Sequence, residues 1–190
     1  MLLNYKQYGE GPDVVIIHGL FGSLENLNVI AKPLSEHFRV TNVDLRNHGA
    51  SPHSNEMNYP AMAADIVELI NALNINNAHL IGHSMGGKVA MEVALMHSQK
   101  VNKLVVLDIA PVSSPARHTQ IINALKKVAT SQVTDRKQAD AIMSEYINEL
   151  GVRQFLLKSL AKNDDGQYKW RFNLDVLDEK YSTITPNVNE

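Results

Sequence analysis

The most constraining feature of this sequence lies in its first 110 residues. Short, continuous, β-branched apolar runs alternate there with longer stretches of helical spacing. Val14-Val15-Ile16-Ile17 follows the turn-forming Gly9-Glu10-Gly11-Pro12-Asp13 and ends at His18-Gly19. Such a run reads as a strand buried on both faces. Leu24 to His37 then has helical spacing at Leu27, Ile30, Ala31 and Leu34. A second strand is expected over Arg39 to Leu45, which includes Asp44. A helix opens at Asn58-Tyr59-Pro60 and runs to about Leu73. Strand Ala78 to Gly82, helix Gly86 to His97 and strand Lys103 to Ile109 complete the alternation, with Leu2 to Tyr8 as an edge strand. Strand–helix alternation with continuous apolar strands implies an α/β fold around a mostly parallel sheet, with helices on both faces.

The pattern changes after Pro111. From Pro115 to about Leu160 the spacing is helical, in three stripes. These are Ile121, Ile122, Leu125 and Val128; Ile142, Met143, Tyr146, Ile147 and Leu150, stopped by Gly151; and Phe155, Leu156 and Leu160. Asn163-Asp164-Asp165-Gly166 is a turn. The expected organisation is a core over 1–111, a helical insertion over 112–181 and a polar tail over 182–190.

Composition removes whole classes of function. The 190 residues contain no cysteine, so disulfides, thiolate metal sites and cysteine nucleophiles are excluded. A net charge of −2 gives no field for nucleic acid or an anionic membrane. No apolar run approaches membrane-spanning length, and the start lacks a signal-peptide pattern, so a cytoplasmic location is the default expectation. Neither metal nor cofactor is expected.

The chemistry centres on Gly82-His83-Ser84-Met85-Gly86, a G-x-S-x-G between an expected strand and an expected helix. A nucleophile on that sharp turn needs small neighbours, which Gly82, Gly86, Gly87 and Ala90 supply. The bland alternative is a serine N-cap beside glycines. Gly82 to Lys88 also fits G-x-x-x-x-G-K, a phosphate loop, but Val89 stands where a magnesium-binding hydroxyl belongs. Upstream, His18-Gly19-Leu20-Phe21-Gly22-Ser23 is a glycine-rich turn after the first buried strand. It can aim a backbone N–H at a developing oxyanion, and the N–H groups of Leu20 and Met85 are the candidate pair. The His18 side chain is read as bonded to nearby backbone, and Asp44 as part of a structural turn with Arg46, Asn47, His48 and Gly49.

Together, His18-Gly19-Leu20-Phe21-Gly22-Ser23, Val43-Asp44-Leu45-Arg46-Asn47-His48-Gly49-Ala50-Ser51, Gly82-His83-Ser84-Met85-Gly86-Gly87-Lys88 and Leu107-Asp108-Ile109-Ala110-Pro111 resemble the α/β-hydrolase superfamily. More narrowly they resemble the bacterial YbfF-type esterases. Gln154 to Ser159 and Trp170-Arg171-Phe172-Asn173 are similar too. The resemblance implies an α/β-hydrolase fold with a helical cap over 112–181. It also implies a serine hydrolase of carboxylic esters or acyl thioesters, working through an acyl-enzyme on Ser84 with Asp108 as the triad acid. His18, Gly19, Gly82, His83 and Gly86 support the motifs. In this family the base is a histidine that follows the acid in chain order. Only His118 follows Asp108 here, and His18, His37, His48, His53, His79, His83 and His97 are weak substitutes. The triad is therefore expected to lack its base. The C-terminal strands are expected to be absent as well, on the order of 50 to 60 residues, with 182–190 as a truncation point. An inner strand would then form an exposed sheet edge through which copies self-associate. The partner is a small ester or thioester. The alternatives are a phosphate-loop nucleotide binder at 82–88 and a non-catalytic hydrolase-fold fragment.

Overall fold

The computed structural model describes residues 1–113 and 118–185. The expected helical start at Pro115 and residues 186–190 of the polar tail lie outside the described residues. Strand β2 (Asp13–Ile17) is the hub. Its Val14, Val15, Ile16 and Ile17 are buried because the sheet is covered on both faces. β3 (Arg39–Val43) and β4 (Ala78–His83) flank it in parallel register, Ile17 pairing with Val43 on one side and Gly82 on the other. β1 (Tyr5–Tyr8) runs antiparallel outside β3, and β5 (Val101–Leu107) runs parallel outside β4. The five-stranded order is β1-β3-β2-β4-β5.

This order places a topological switch at the centre. The chain leaves β2 toward β3, then returns to add β4 on the other side of β2. The loops after β2 and β4 therefore part in opposite directions and leave a crevice at the carboxyl ends of the strands. The candidate residues Leu20 and Ser84 follow those two strands.

Alternation along β2 divides the core. Val14 and Ile16 pack with Leu27, Ala31 and Val40 on the face of helix α1 (Asn28–Leu34). Val15 and Ile17 face the larger core of α2 (Tyr59–Ala72) and α3 (Met85–Met96). The start of α2 is set locally: Asn58 accepts the Ala61 N–H at 2.8 Å, and Pro60 needs no partner in the first turn. The expected helix from Leu24 to His37 divides instead into a 3₁₀ turn, Leu24–Leu27, and the shorter α1. β5 is unlike its neighbours. Leu104 and Val105 are 38% and 44% exposed, because no described element pairs with its outer edge or covers its outer face.

After β5 come α4 (Thr119–Thr130), α5 (Arg136–Ser144), α6 (Leu150–Leu157) and α7 (Leu174–Glu179). Ile122, Leu125 and Val128 of α4 are buried, as their spacing requires. Two features differ from the sequence expectation. Gly151 does not stop the second stripe; it lies inside α6. The break falls between α5 and α6, where the Arg153 guanidinium donates to the carbonyls of Ile147 and Asn148 at 2.9 and 3.0 Å. The segment is also not wholly helical. β6 (Leu160–Lys162) and β7 (Tyr168–Trp170) form a hairpin, closed by Gly166 at φ 76°. No helix among the described residues is long and apolar enough to cross a membrane.

Candidate active site

Ser84 sits between β4 and α3 at φ 51° and ψ −121°. A non-glycine residue holds this backbone only when its surroundings enforce it. Here the Ser84 N–H donates to Leu107 O of β5 at 2.9 Å, while its carbonyl accepts the N–H groups of Gly87 and Lys88 at 2.8 and 3.3 Å. The turn also requires a very close approach of the helix to the sheet. A Cβ on Gly86 would lie 2.4 Å from the carbonyl oxygens of Ile17 and His18, and one on Gly82 would lie 2.2 Å from Gly86 O. The same contacts close the turn against the sheet, unlike an open phosphate cradle, and the Lys88 ammonium packs over an aromatic ring. Lys88 is 1% exposed, its Nζ is 5.6 Å above the Tyr59 ring, and burial pushes its pKa down.

The loop after β2 is held by two buried histidines. His18 Nε2 accepts the Leu45 N–H at 3.0 Å, so its proton is on Nδ1, which donates to Gly19 O at 2.7 Å. His48 Nε2 accepts the Phe21 N–H at 3.2 Å, and Nδ1 donates to Arg46 O at 2.9 Å. The rings meet edge to face, 5.1 Å apart. Burial keeps both neutral: it lowers the His18 pKa and, aided by His18 and His53, brings that of His48 to about 3. Phe21 can thus hold φ 61° beside Leu20. Asp44 is fully buried and structural. Oδ1 accepts the Leu24 N–H at 2.7 Å, and Oδ2 accepts from Ala50 N–H at 2.9 Å and Asn4 Nδ2 at 2.8 Å.

Leu20, Ser84, Met85 and Asp108 come together on one cavity of about 600 Å³, with Lys88, Ile109, His118 and Tyr181 also on its wall. Asp108 follows β5 at φ 58°, and its side chain is 88% exposed. The imidazole beside it is His83, with Nε2 at 3.9 Å from Oδ2. His53 lines a separate cavity of about 290 Å³ with Trp170 and Phe172. His37, His79 and His97 are not on the wall of the larger cavity. His118 is on it, with Nδ1 2.6 Å from the Tyr181 hydroxyl. Tyr181 carries no signal in the sequence, being 63 residues from its partner.

The family model for the alpha/beta hydrolase fold matches residues 12–142, which span the crevice and every strand of the five-stranded sheet but β1. The chain belongs to the α/β-hydrolase fold family. This hydrolase is 48% identical over 180 residues to the esterase YbfF of Escherichia coli, covering 94% of itself and 68% of that protein. It is 44% identical over 183 residues to the sn-1-specific diacylglycerol lipase ABHD11 of Mus musculus, covering 91% of itself but 59% of the relative. The hydrolase therefore spans only about three fifths to two thirds of these relatives' lengths. Among solved structures, a marine microorganism esterase superposes with a TM-score of 0.95 at 40% identity, over 100% of this chain and 75% of that one. The hydrolase thus falls among the YbfF-like esterases.

Proposed function

We propose that this chain carries the nucleophile half of a serine hydrolase acting on carboxylic esters, with acyl thioesters as a second substrate class. The observation that carries the reading is Ser84, held in strained backbone on the wall of a cavity shared with Leu20, Met85 and Asp108. In the proposed reaction Ser84 Oγ attacks the ester carbonyl carbon and gives up its proton to a base. The carbonyl oxygen becomes an oxyanion that accepts from the Leu20 and Met85 N–H groups. Collapse of the tetrahedral intermediate expels the alcohol, which takes the proton from the base, and leaves an acyl-enzyme that water hydrolyses. Asp108 orients the base. Diacylglycerol, the ester named for the Mus musculus relative, falls within this class.

The base is the missing part. Among the described hydrogen bonds none joins a histidine to the Ser84 hydroxyl, and His18 and His48 are fully committed to backbone. Turnover by these 190 residues is accordingly low, at the level of roughly 10³–10⁴ over water that oxyanion stabilisation and binding alone provide. Residues 112–181 serve as a cap over the cavity, and the exposed edge of β5 pairs with a second copy of the chain.

Hydrolysis of p-nitrophenyl acetate by the wild-type chain and by Ser84→Ala tests the reading, together with mass spectrometry after a fluorophosphonate probe. The expected result is slow hydrolysis that disappears in Ser84→Ala, with one adduct on Ser84. Turnover unaffected by Ser84→Ala, with no adduct, would refute the serine mechanism. Fast turnover abolished by Ser84→Ala would refute the missing base.

A further inference from the structure

The molecule has a second cavity, apart from the one that holds Ser84. It measures about 290 Å³, the size of a small ligand, and Tyr168, Trp170, Phe172, Asn173 and Asp175 stand on its wall. The hairpin builds it. Tyr168 and Trp170 lie two residues apart on β7 and so share one face of the strand. The Trp170 indole stacks on Phe172, with centroids 5.3 Å apart and planes at 10°. Three aromatic side chains in a row thus contribute to one small cavity. Phe172 is buried and packs on Phe21, so it belongs to the core. Tyr168 and Trp170 are left half-buried, with part of each on the cavity wall.

The polarity of the wall selects the ligand. Three of its N–H donors are spent inside the protein. The Trp170 indole donates to Leu125 O at 3.0 Å, and the Asn173 main chain and side chain donate to Asn47 O and Oδ1 at 2.9 and 3.3 Å. The remaining character is that of aromatic rings, whose faces carry partial negative charge, and of a carboxylate. Asp175 is exposed, and no hydrogen bond or ion pair joins its carboxylate to another described residue. Lys169 also borders the cavity, but alternation along β7 turns its side chain to the face opposite Tyr168 and Trp170. The chain itself places an ammonium on this aromatic row. Lys162, paired with Tyr168 across the hairpin, holds Nζ over the Tyr168 ring, 5.5 Å from its centre. An anion would meet Asp175 with like charge, and a neutral molecule would gain nothing from the carboxylate.

We propose that this cavity binds a small organic ammonium ion, of the size of choline, between the aromatic row and Asp175. The site lies outside the acyl-transfer machinery, and the proposal stands independently of the role of Ser84.

Trp170 is the only tryptophan of the chain, so its fluorescence reports on the cavity directly. The full chain is titrated with choline chloride against sodium chloride at constant ionic strength. A parallel titration uses 3,3-dimethyl-1-butanol, in which carbon replaces the charged nitrogen. Saturation-transfer NMR on the methyl protons of each compound gives a second reading. Choline should bind saturably in the millimolar range, about tenfold more tightly than its carbon analogue. Asp175→Asn should weaken choline about fivefold and leave the analogue unchanged. Tyr168→Leu should weaken choline about threefold. Equal binding of the two compounds would overturn the proposal by reducing the site to an apolar dent. Choline binding unweakened in Asp175→Asn would overturn it by placing the cation elsewhere, and this exposed substitution decides the matter even where Tyr168→Leu fails to fold. The absence of saturation in both readings would overturn it as well.

Discussion

Acidification should loosen the loop of Leu20 and Phe21 through a single buried imidazole. His48 is fully buried, and its Nε2 holds the Phe21 N–H next to Leu20. Burial, then the charges of His18 and His53, brings its pKa from 6.5 to about 3 in the folded chain. In the unfolded chain it returns to 6.5, so between these values only the unfolded state takes up the proton. Stability is complete above the upper value and is lost progressively as pH falls toward the lower one. At about 1.4 kcal/mol per pH unit, a change from about pH 7.5 to about pH 5 removes about 2 kcal/mol through His48 alone. His48→Gln abolishes this titration and keeps both an acceptor for Phe21 and a donor for Arg46. Urea unfolding followed by Trp170 fluorescence at the two pH values measures the effect. The wild type should lose about 2 kcal/mol more than His48→Gln over this interval. Equal losses, within about 0.5 kcal/mol, would refute the assignment of His48 as the neutral clamp of this loop.

Three further outcomes are expected. Gly86→Ala would drive a methyl to 2.4 Å from the carbonyl oxygens of Ile17 and His18, so it should cost about 3 kcal/mol or prevent folding, read by urea unfolding or soluble yield. Asp44→Asn turns an amide NH₂ toward the Ala50 N–H and Asn4 donors, which should cost about 2–3 kcal/mol in the same assay, and an Asn4→Ala background should recover only part of it. On the proposed β5 pairing the wild-type chain should sediment as an oligomer, and Val105→Lys, which places a charge on the exposed β5, should shift it toward monomer. Unchanged sedimentation would exclude the β5 face as the contact.

The sequence makes the sheet legible where burial is complete. β2 is readable because both its faces are covered, so no polar residue interrupts Val14 to Ile17. The Ser84 turn is readable because its geometry excludes side chains at 82 and 86 and so writes itself as glycine. Asp44 is readable as a structural strand-end carboxylate. Other features leave no local pattern. The break between α5 and α6 depends on Arg153, an ordinary surface residue in sequence terms that folds back on two carbonyls. The hairpin β6–β7 has three-residue strands, too short for an alternation to outweigh the neighbouring helical stripes. Its turn signal, Asp165-Gly166, was present and is the kind that marks a hairpin. Tyr181 and His118 are brought together only by the packing of α4 against α7.

The segment after β5 is stitched to the loops that follow β2 and β3. The Ser159 hydroxyl donates to Phe21 O at 3.0 Å, and the Asn173 N–H donates to Asn47 O at 2.9 Å. A segment fastened in this way is not an interchangeable module, whatever its role over the cavity. Exchanging it with a relative's to change acyl preference would also tug on the loop that presents Leu20. A chimera should therefore keep its acylation rate only if the donor segment brings a serine equivalent to Ser159 and an asparagine equivalent to Asn173. In this architecture the breadth of substrates and the speed of the first chemical step are inherited together.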